Sequence, residues 1–397
     1  MPPCSSPSAG SSWWATAPAE PVLGPARNGR RGPSATCPVP SRSCAPAGPA
    51  APGEATLVRM PTPTSAAAPR PRLLWMDVYR GLAVLLVVLL HAQTALVDSG
   101  LARSELVRDV NAAVGSFRMP GLLLVSGMLL TLSLRRPAGQ YLAGKLRRIA
   151  WPWLLWTAVM LPFFGLAAAL EPTWWLNGAH TWFLSVVFVG YLLGLALKRV
   201  PPLIIAVVLF ALAIRLEPDA ITGGLHEWAL VAERMTWFGG FFFVGAALGR
   251  WREDLPRIPW QVMLLPAVVT WDWARRAIEA GRYPSEESWP VMTMSVIGVV
   301  SVLWLLAQIP DNPLMRAFAW VGRHSIVLFV VHYPVIRLLR RTVDLPEGIA
   351  GVGLLFAAGA GVSLVLAALY PWTKYLFEFP STSRLVRAAR RRPVATA

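Results

Sequence analysis

The chain has 397 residues, 55% of them hydrophobic and only 15% charged, with 37 Lys and Arg against 21 Asp and Glu. A soluble globular domain of that apolar content would aggregate, so composition and a positive mean hydropathy place the chain among membrane proteins. Its basic excess sits between apolar runs, where it orients spans, so no nucleic-acid partner is expected.

The first 71 residues are dominated by Pro, Ala, Ser and Gly with almost no apolar periodicity, and are read as a disordered tail. No apolar run follows a basic start, so the segment is not a signal peptide, and Met60 offers an alternative translation start. Cys4, Cys37 and Cys44 all lie in this tail. A cysteine nucleophile, a cysteine zinc site and a structural disulfide are thereby excluded from the segment 72–372, which carries the chemistry.

That segment reads as ten apolar spans, at 78–97, 114–133, 149–170, 182–198, 202–216, 235–249, 260–277, 291–309, 322–340 and 349–371. The expected fold is therefore an all-α polytopic integral membrane protein of about ten transmembrane helices, followed by a basic tail, 373–397. The fifth and sixth spans are short, and the seventh carries Asp272, Arg275 and Arg276. Loop charges give the orientation. Arg135, Arg136, Lys145, Arg147, Arg148, Lys198, Arg199, Arg250, Arg252, Arg257, Arg316 and Arg323 fall on one side, and the loops on the other carry Asp98, Glu105, Asp109, Glu171, Glu217, Asp219, Glu227, Glu233, Glu286 and Glu287. Both termini are expected to be cytoplasmic. Arg337, Arg340 and Arg341 break the pattern at the outer side of the ninth span. No internal repeat is evident, which argues against a carrier built on inverted repeats.

Within the first span, Arg80 and His91 stand eleven residues apart among Leu, Val and Ala. Eleven helical steps return the side chain to within about 20° of its starting direction and move it ~16 Å along the axis, so one helix face carries both. An ionisable residue inside a span usually faces a cavity, a partner or a substrate path. Arg80 is also near enough to the span's end to sit at the headgroups, with Asp77 one turn before it as partner or cap. His91 is too deep for that. Arg118 opens two readings as well, a wall of the acceptor path or a cation reaching the outer headgroups, and Pro120 after it can open the helix locally. Ser126-Gly127 reads as a close helix-packing point, since no nucleophile-elbow pattern surrounds the serine.

Of the other histidines, His332 lies near the middle of the ninth span and can face the same cavity as His91, or bond to a backbone carbonyl as a core histidine. His180 precedes Trp182 and follows Trp174 and Trp175, an aromatic belt that reads first as an interfacial anchor. His226 and His324 sit in loops or at an interface. No two histidines have the close spacing of a metal site, so no catalytic metal is expected.

Five stretches in order resemble the acyltransferase 3 family of integral membrane O-acyltransferases. They are Trp75-Met-Asp-Val-Tyr-Arg80-Gly-Leu-Ala running on to His91; Phe117-Arg-Met-Pro-Gly-Leu-Leu-Leu-Val-Ser126-Gly127; Lys145-Leu-Arg-Arg-Ile-Ala-Trp-Pro152; His180-Thr-Trp-Phe-Leu; and Gly322-Arg-His-Ser-Ile leading to His332-Tyr-Pro. The resemblance spans about residues 72–372. It implies an enzyme of the plasma membrane, most simply a bacterial inner membrane, that moves an acyl group, often acetyl, from cytoplasmic acyl-CoA to a hydroxyl of a cell-envelope glycan or similar acceptor. Acyl-CoA, with acetyl-CoA first, is then a co-substrate and no cofactor is held. On that reading His91 is the general base, with Arg80 on the donor side and His332 a second catalytic group. Lys145, Arg147 and Arg148 form a cytoplasmic cluster for the donor phosphates, and Arg118 and His180 line the acceptor path. The family often has two arginines two residues apart in this basic loop. Here Lys145 and Arg148 hold that spacing, and a lysine lacks the bidentate fork. The alternative is a non-enzymatic carrier or flippase for an anionic lipid-linked glycan, guided by Arg118, Arg337, Arg340 and Arg341 with the histidines as a relay.

Overall fold

The structure is a computed structural model and describes residues 73–284 and 286–380. The disordered tail expected at 1–71, the start at Met60 and most of the basic tail, 381–397, lie outside the described residues. Among the described residues the fold is helical with no strand.

Helix α1, Leu74–Val97, runs unbroken through the Arg80 to His91 stretch. Asp77 in its first turn suits the positive end of the helix dipole. Helix α2, Glu105–Gly127, starts where Ser104 accepts a bond from the Val107 amide, and a further turn follows at Leu130–Ser133. A short helix α3, Ala138–Lys145, passes through a π-helical turn, Leu146–Ala150, into α4, Trp151–Val159. Then come α5, Trp182–Ala196, α6, Pro202–Arg215, α7, Leu225–Leu248, and α8, Trp260–Glu279. The last four are α9, Trp289–Gln308, α10, Pro313–Arg323, α11, Ser325–Thr342, and α12, Gly348–Ala368.

Four stretches are long and apolar enough to cross a membrane: Leu74–Val97, Glu105–Ser133, Trp289–Gln308 and Gly348–Ala368. The pair α10 and α11, bent by 72°, makes a fifth if it is one span. The expected ten are thus supported at four to five. The third expected span, 149–170, is not one helix: it stops at Met160, restarts as Leu161–Phe164 and ends as a 3-10 turn after Gly165 at φ 102. Pro162 removes an amide from the ladder there, and Gly165 takes a backbone conformation a side chain would resist. The ninth expected span, 322–340, breaks at His324, whose ring Nδ1 lies 2.9 Å from the Trp320 carbonyl. Pro120, by contrast, lies inside α2 without ending it.

Helix α1 is the hub, touching α2, α9, α10, α11 and α12. Its crossing with α10 is closest at two glycines. A Cβ on Gly81 would strike the Phe318 carbonyl, and one on Gly322 would strike the Asp77 carbonyl. The same holds between α2 and α7. There Gly127 faces the Phe242 carbonyl and Gly245 the Leu124 carbonyl. Small residues let backbones approach where lipid gives no hydrophobic drive to associate. Ser126-Gly127 is therefore a packing point as expected, and the Ser126 hydroxyl donates to the Leu122 carbonyl at 2.7 Å.

Candidate active site

His91 projects from α1 into a cavity of about 320 Å³ walled by α1, α2, α7 and the loop before α9. Its ring lies 5.3 Å from that of His332 and 4.9 Å, edge-on, from that of Tyr333, both on α11. His180, just before α5, completes the cluster: its ring is 5.4 Å from His332 and stacks on Tyr333 at 4.8 Å. Three of the histidines in the resemblance motifs therefore converge.

The hydrogen bonds fix the tautomers of two of them. His332 Nδ1 lies 2.8 Å from the Leu328 carbonyl oxygen, and His180 Nε2 lies 3.2 Å from that of Val330. A carbonyl only accepts, so each of those nitrogens carries the proton. The opposite nitrogens, His332 Nε2 and His180 Nδ1, are then bare lone pairs, and both are buried without a partner. Buried polar atoms in native proteins are normally satisfied, so bare nitrogens here mark a place for a group that donates.

Two residues whose sequence readings stood open have definite surroundings. His180 is 2% exposed and bonded to α11, so it belongs to the cluster and is no interfacial anchor. His332 is fully buried, touches both other rings, and lies behind them instead of lining the cavity. His226 and His324 sit apart, each against a backbone carbonyl, at Pro218 and Trp320.

Arg118, at 3% exposure, does not reach toward headgroups. The helix begins nine residues earlier than the expected span, at Glu105, which carries Arg118 to its middle. One Nη donates to Asn111 Oδ1 at 2.9 Å and reaches the Leu86 carbonyl at 3.5 Å, while Nε is buried without a partner. Arg118 lines the His91 cavity together with Trp182, Trp237, Tyr283 and the carboxylates Glu233 and Glu287. Arg234, also in this wall, bonds to Asn177 and lies over the Trp182 ring. Asn111, Tyr283, Glu233, Arg234 and Glu287 were not singled out as site residues. They come from three places, α2, α7 and the loop before α9, and only the two acids among them carried a sequence signal, read as topology.

Arg80 lines a different cavity, of about 430 Å³, with Asp77, Arg252 and Arg323. It pairs with Asp77 across 3.9 Å. The glycine crossing of α1 and α10 sets Arg80 and Arg323, each next to its glycine, at one cavity; Arg252, read only as a loop charge, joins them.

The expected cluster of Lys145, Arg147 and Arg148 is divided. Lys145 turns inward, donating to Ser133 Oγ at 3.2 Å and lying over the Tyr191 ring at 3.2 Å. Burial, then the charges of Arg136, Arg148 and Arg80, pull its ammonium down to about 7. Arg147 and Arg148 instead reach Glu378, at 2.7 and 3.4 Å, beside Lys374. The π turn that begins just after Lys145 explains the split, since its wider i→i+5 spacing changes the phase of the following residues.

The sequence model of the acyltransferase domain matches residues 73–370, nearly all of the described chain. The chain belongs to the acyltransferase 3 family. Searches of curated proteins and of solved structures found no match. Membership makes the chain an acyltransferase, and with its apolar helices an integral membrane protein. Among the described residues no group of three or more His, Cys, Asp or Glu has the geometry to hold a metal ion.

Proposed function

We propose that this protein transfers an acyl group, acetyl in the simplest case, from acyl-CoA to a hydroxyl of a glycan or similar acceptor at the membrane, an O-acylation of the cell envelope. The observation that carries the reading is the His91 cavity, where an imidazole meets two partner rings with bare nitrogens beside a buried guanidinium. A sugar hydroxyl is a weak nucleophile at neutral pH. His91 takes its proton as the oxygen attacks the thioester carbon, and returns that proton to the departing thiolate. His332, behind His91, is a positioning residue: its bare Nε2 can accept a hydrogen bond in the cluster when His91 becomes charged.

The donor's phosphates fit the arginine cavity of Arg80, Arg252 and Arg323, with Lys145 close by. The acceptor enters the His91 cavity between Trp182, Trp237 and Tyr283, where aromatic faces suit a sugar ring and Glu233, Glu287 and His180 accept from its hydroxyls. The arginine end is cytoplasmic in this reading, and both termini with it, in a bacterial inner membrane.

Purified protein in lipid nanodiscs, given radiolabelled acetyl-CoA and a crude envelope-glycan extract, should label the extract. His91→Ala should lower the rate by about 10²–10⁴, the range for a general base. A His91→Ala variant that labels as well as wild type removes His91 from the chemistry. Movement of the glycan across vesicles without labelling favours the carrier alternative.

A further inference from the structure

Arg118 is shared by two cavities. The first is the His91 cavity; the second is an apolar slot of about 330 Å³ in which, among the described residues, Arg118 is the sole charged one. On α1 the slot extends from Tyr79 to Leu89, ~15 Å along the helix, so it occupies the same length of helix that separates Arg80 from His91. Ala83 and Leu86 from α1 face Val114 and Phe117 from α2, with Phe356 closing it from α12. The one hydroxyl there, on Tyr79, is used in a 2.8 Å bond to the Phe117 carbonyl.

The state of Arg118 is unusual for a buried guanidinium. Among the described residues no carboxylate lies within ion-pair distance of it. One Nη is held by Asn111 and Leu86, and the buried Nε has no partner. A guanidinium carries five donors, and burying one without an acceptor is costly. The Leu86 carbonyl that it approaches belongs to a residue five positions before His91, on the side toward Arg80. The group therefore stands where the slot and the histidine cavity adjoin.

Resting on the acyltransferase reading above, we propose that Arg118 and the apolar slot form the acyl-group site. Arg118 Nε–H donates to the thioester carbonyl oxygen, and the slot takes the hydrocarbon chain of a donor longer than acetyl. In the step itself, the acceptor oxygen bonds to the carbonyl carbon and its proton passes to His91. The carbonyl pair moves onto oxygen, where Arg118 holds the negative charge. Collapse restores the carbonyl, breaks the carbon–sulfur bond, and releases a thiolate that takes the proton back from His91. Donors aimed at where such charge develops are among the strongest catalytic devices known. At about 30 Å³ per water-sized group, the slot has room for about ten methylene-sized groups.

The test uses the purified full-length protein in nanodiscs, with acetyl-, butyryl-, octanoyl- and decanoyl-CoA and the glycan extract as acceptor. Wild type should transfer octanoyl at least as well as acetyl. Ala83→Phe, and independently Val114→Phe from the facing wall, should lower octanoyl transfer by about tenfold or more relative to acetyl transfer. Arg118→Gln should lower kcat for every donor by about 10²–10³, the loss seen on removing an oxyanion donor, with KM for the donor little changed. Transfer of acetyl alone by wild type, or an equal loss of both donors in each slot variant, overturns the slot. An Arg118→Gln effect confined to KM overturns its carbonyl role. Absence of transfer from every donor refutes the acyltransferase reading itself, a distinct outcome. Elution and melting behaviour like wild type identify a variant that has folded, and either slot variant alone suffices for the comparison.

Discussion

Lys145 offers a sharp test of the donor end, because its protonation is poised within the working range. Burial comes first among the causes, with Arg136, Arg148 and Arg80 adding repulsion, and together they hold the ammonium at about 7 against an ordinary 10.5. Depression of a cationic group means that the charged form is lost as pH rises through that value. A donor phosphate binds the charged form, so its apparent affinity falls once Lys145 deprotonates, approaching about 1.4 kcal/mol per pH unit above 7. Between pH 6 and pH 8 the charged fraction falls about tenfold, and KM for acyl-CoA should rise by about that factor. Lys145→Arg stays charged throughout, so over the same range its KM should follow only the titration of the donor's own phosphate. The assay is steady-state thiol release in nanodiscs at fixed ionic strength. Dividing wild type by the arginine variant cancels titration of the donor's own phosphate, whose second pKa is about 6. A wild-type KM that does not move relative to Lys145→Arg would show that Lys145 takes no part in holding the donor.

Four further outcomes follow from the geometry. His332→Ala should lower kcat by about tenfold to a hundredfold with donor KM unchanged, as for loss of a group that orients a working histidine; an unchanged kcat would make His332 a core residue only. Gly322→Ala should lower the melting temperature, at a cost of about 1–3 kcal/mol, because its methyl meets the Asp77 backbone, whereas Gly144→Ala, with open space around it, should not; equal effects in thermal melts would refute the crossing argument. Glu378→Gln should lower donor KM by about twofold to fivefold if Arg147 and Arg148 are released to phosphates, and an unchanged KM would remove them from the donor site. Acetyl phosphate should fail to replace acetyl-CoA, and labelling from it within tenfold of the CoA rate would contradict a donor that reaches from Arg80 to His91.

The parts of this molecule that sequence made legible are those set within one helix or by one short motif. The register of Arg80 and His91 needed only helical periodicity, and α1 runs unbroken through both. Ser126-Gly127 as a packing point needed only small residues in an apolar run. What escaped reading depends on where one element ends and another meets it. Arg118 kept a headgroup reading beside the acceptor-path one because an apolar window places the second span at 114–133, whereas the helix begins at Glu105 behind a serine cap. That cap is a polar signal which hydropathy discards. His180 looked interfacial among its tryptophans, and only the packing of α11 against its loop shows it buried. The division of Lys145 from Arg147 and Arg148 turns on a π turn for which spacing gave no warning, and on Glu378, over two hundred residues away. Arg252 and Arg323 read as orienting charges because topology alone accounted for them. Their shared cavity with Arg80 is a tertiary fact.

The separation between the two cavities bears on the class of donor. Arg80 and His91 share a helix face yet line different spaces, ~16 Å apart along the axis. If anionic groups bind at the arginine end and the reacting carbon sits beside His91, the donor must carry charge and carbonyl far apart. An acyl phosphate holds them on adjacent atoms and cannot occupy both ends at once. A thioester on a long flexible arm can. The arm must pass Arg118, whose guanidinium reaches the Leu86 carbonyl and lines the same cavity as His91, and among the described residues no carboxylate neutralises it. A cation left uncompensated at that point favours a substrate that brings electron density to it, which a thioester carbonyl does, and increasingly so as the transition state forms. Arg80 then has a reason to be near the helix's beginning and His91 a reason to be deep. With such a donor, the first would hold its charge where water can still reach it, and the second would meet the carbonyl where the cavity walls limit access of water to the thioester.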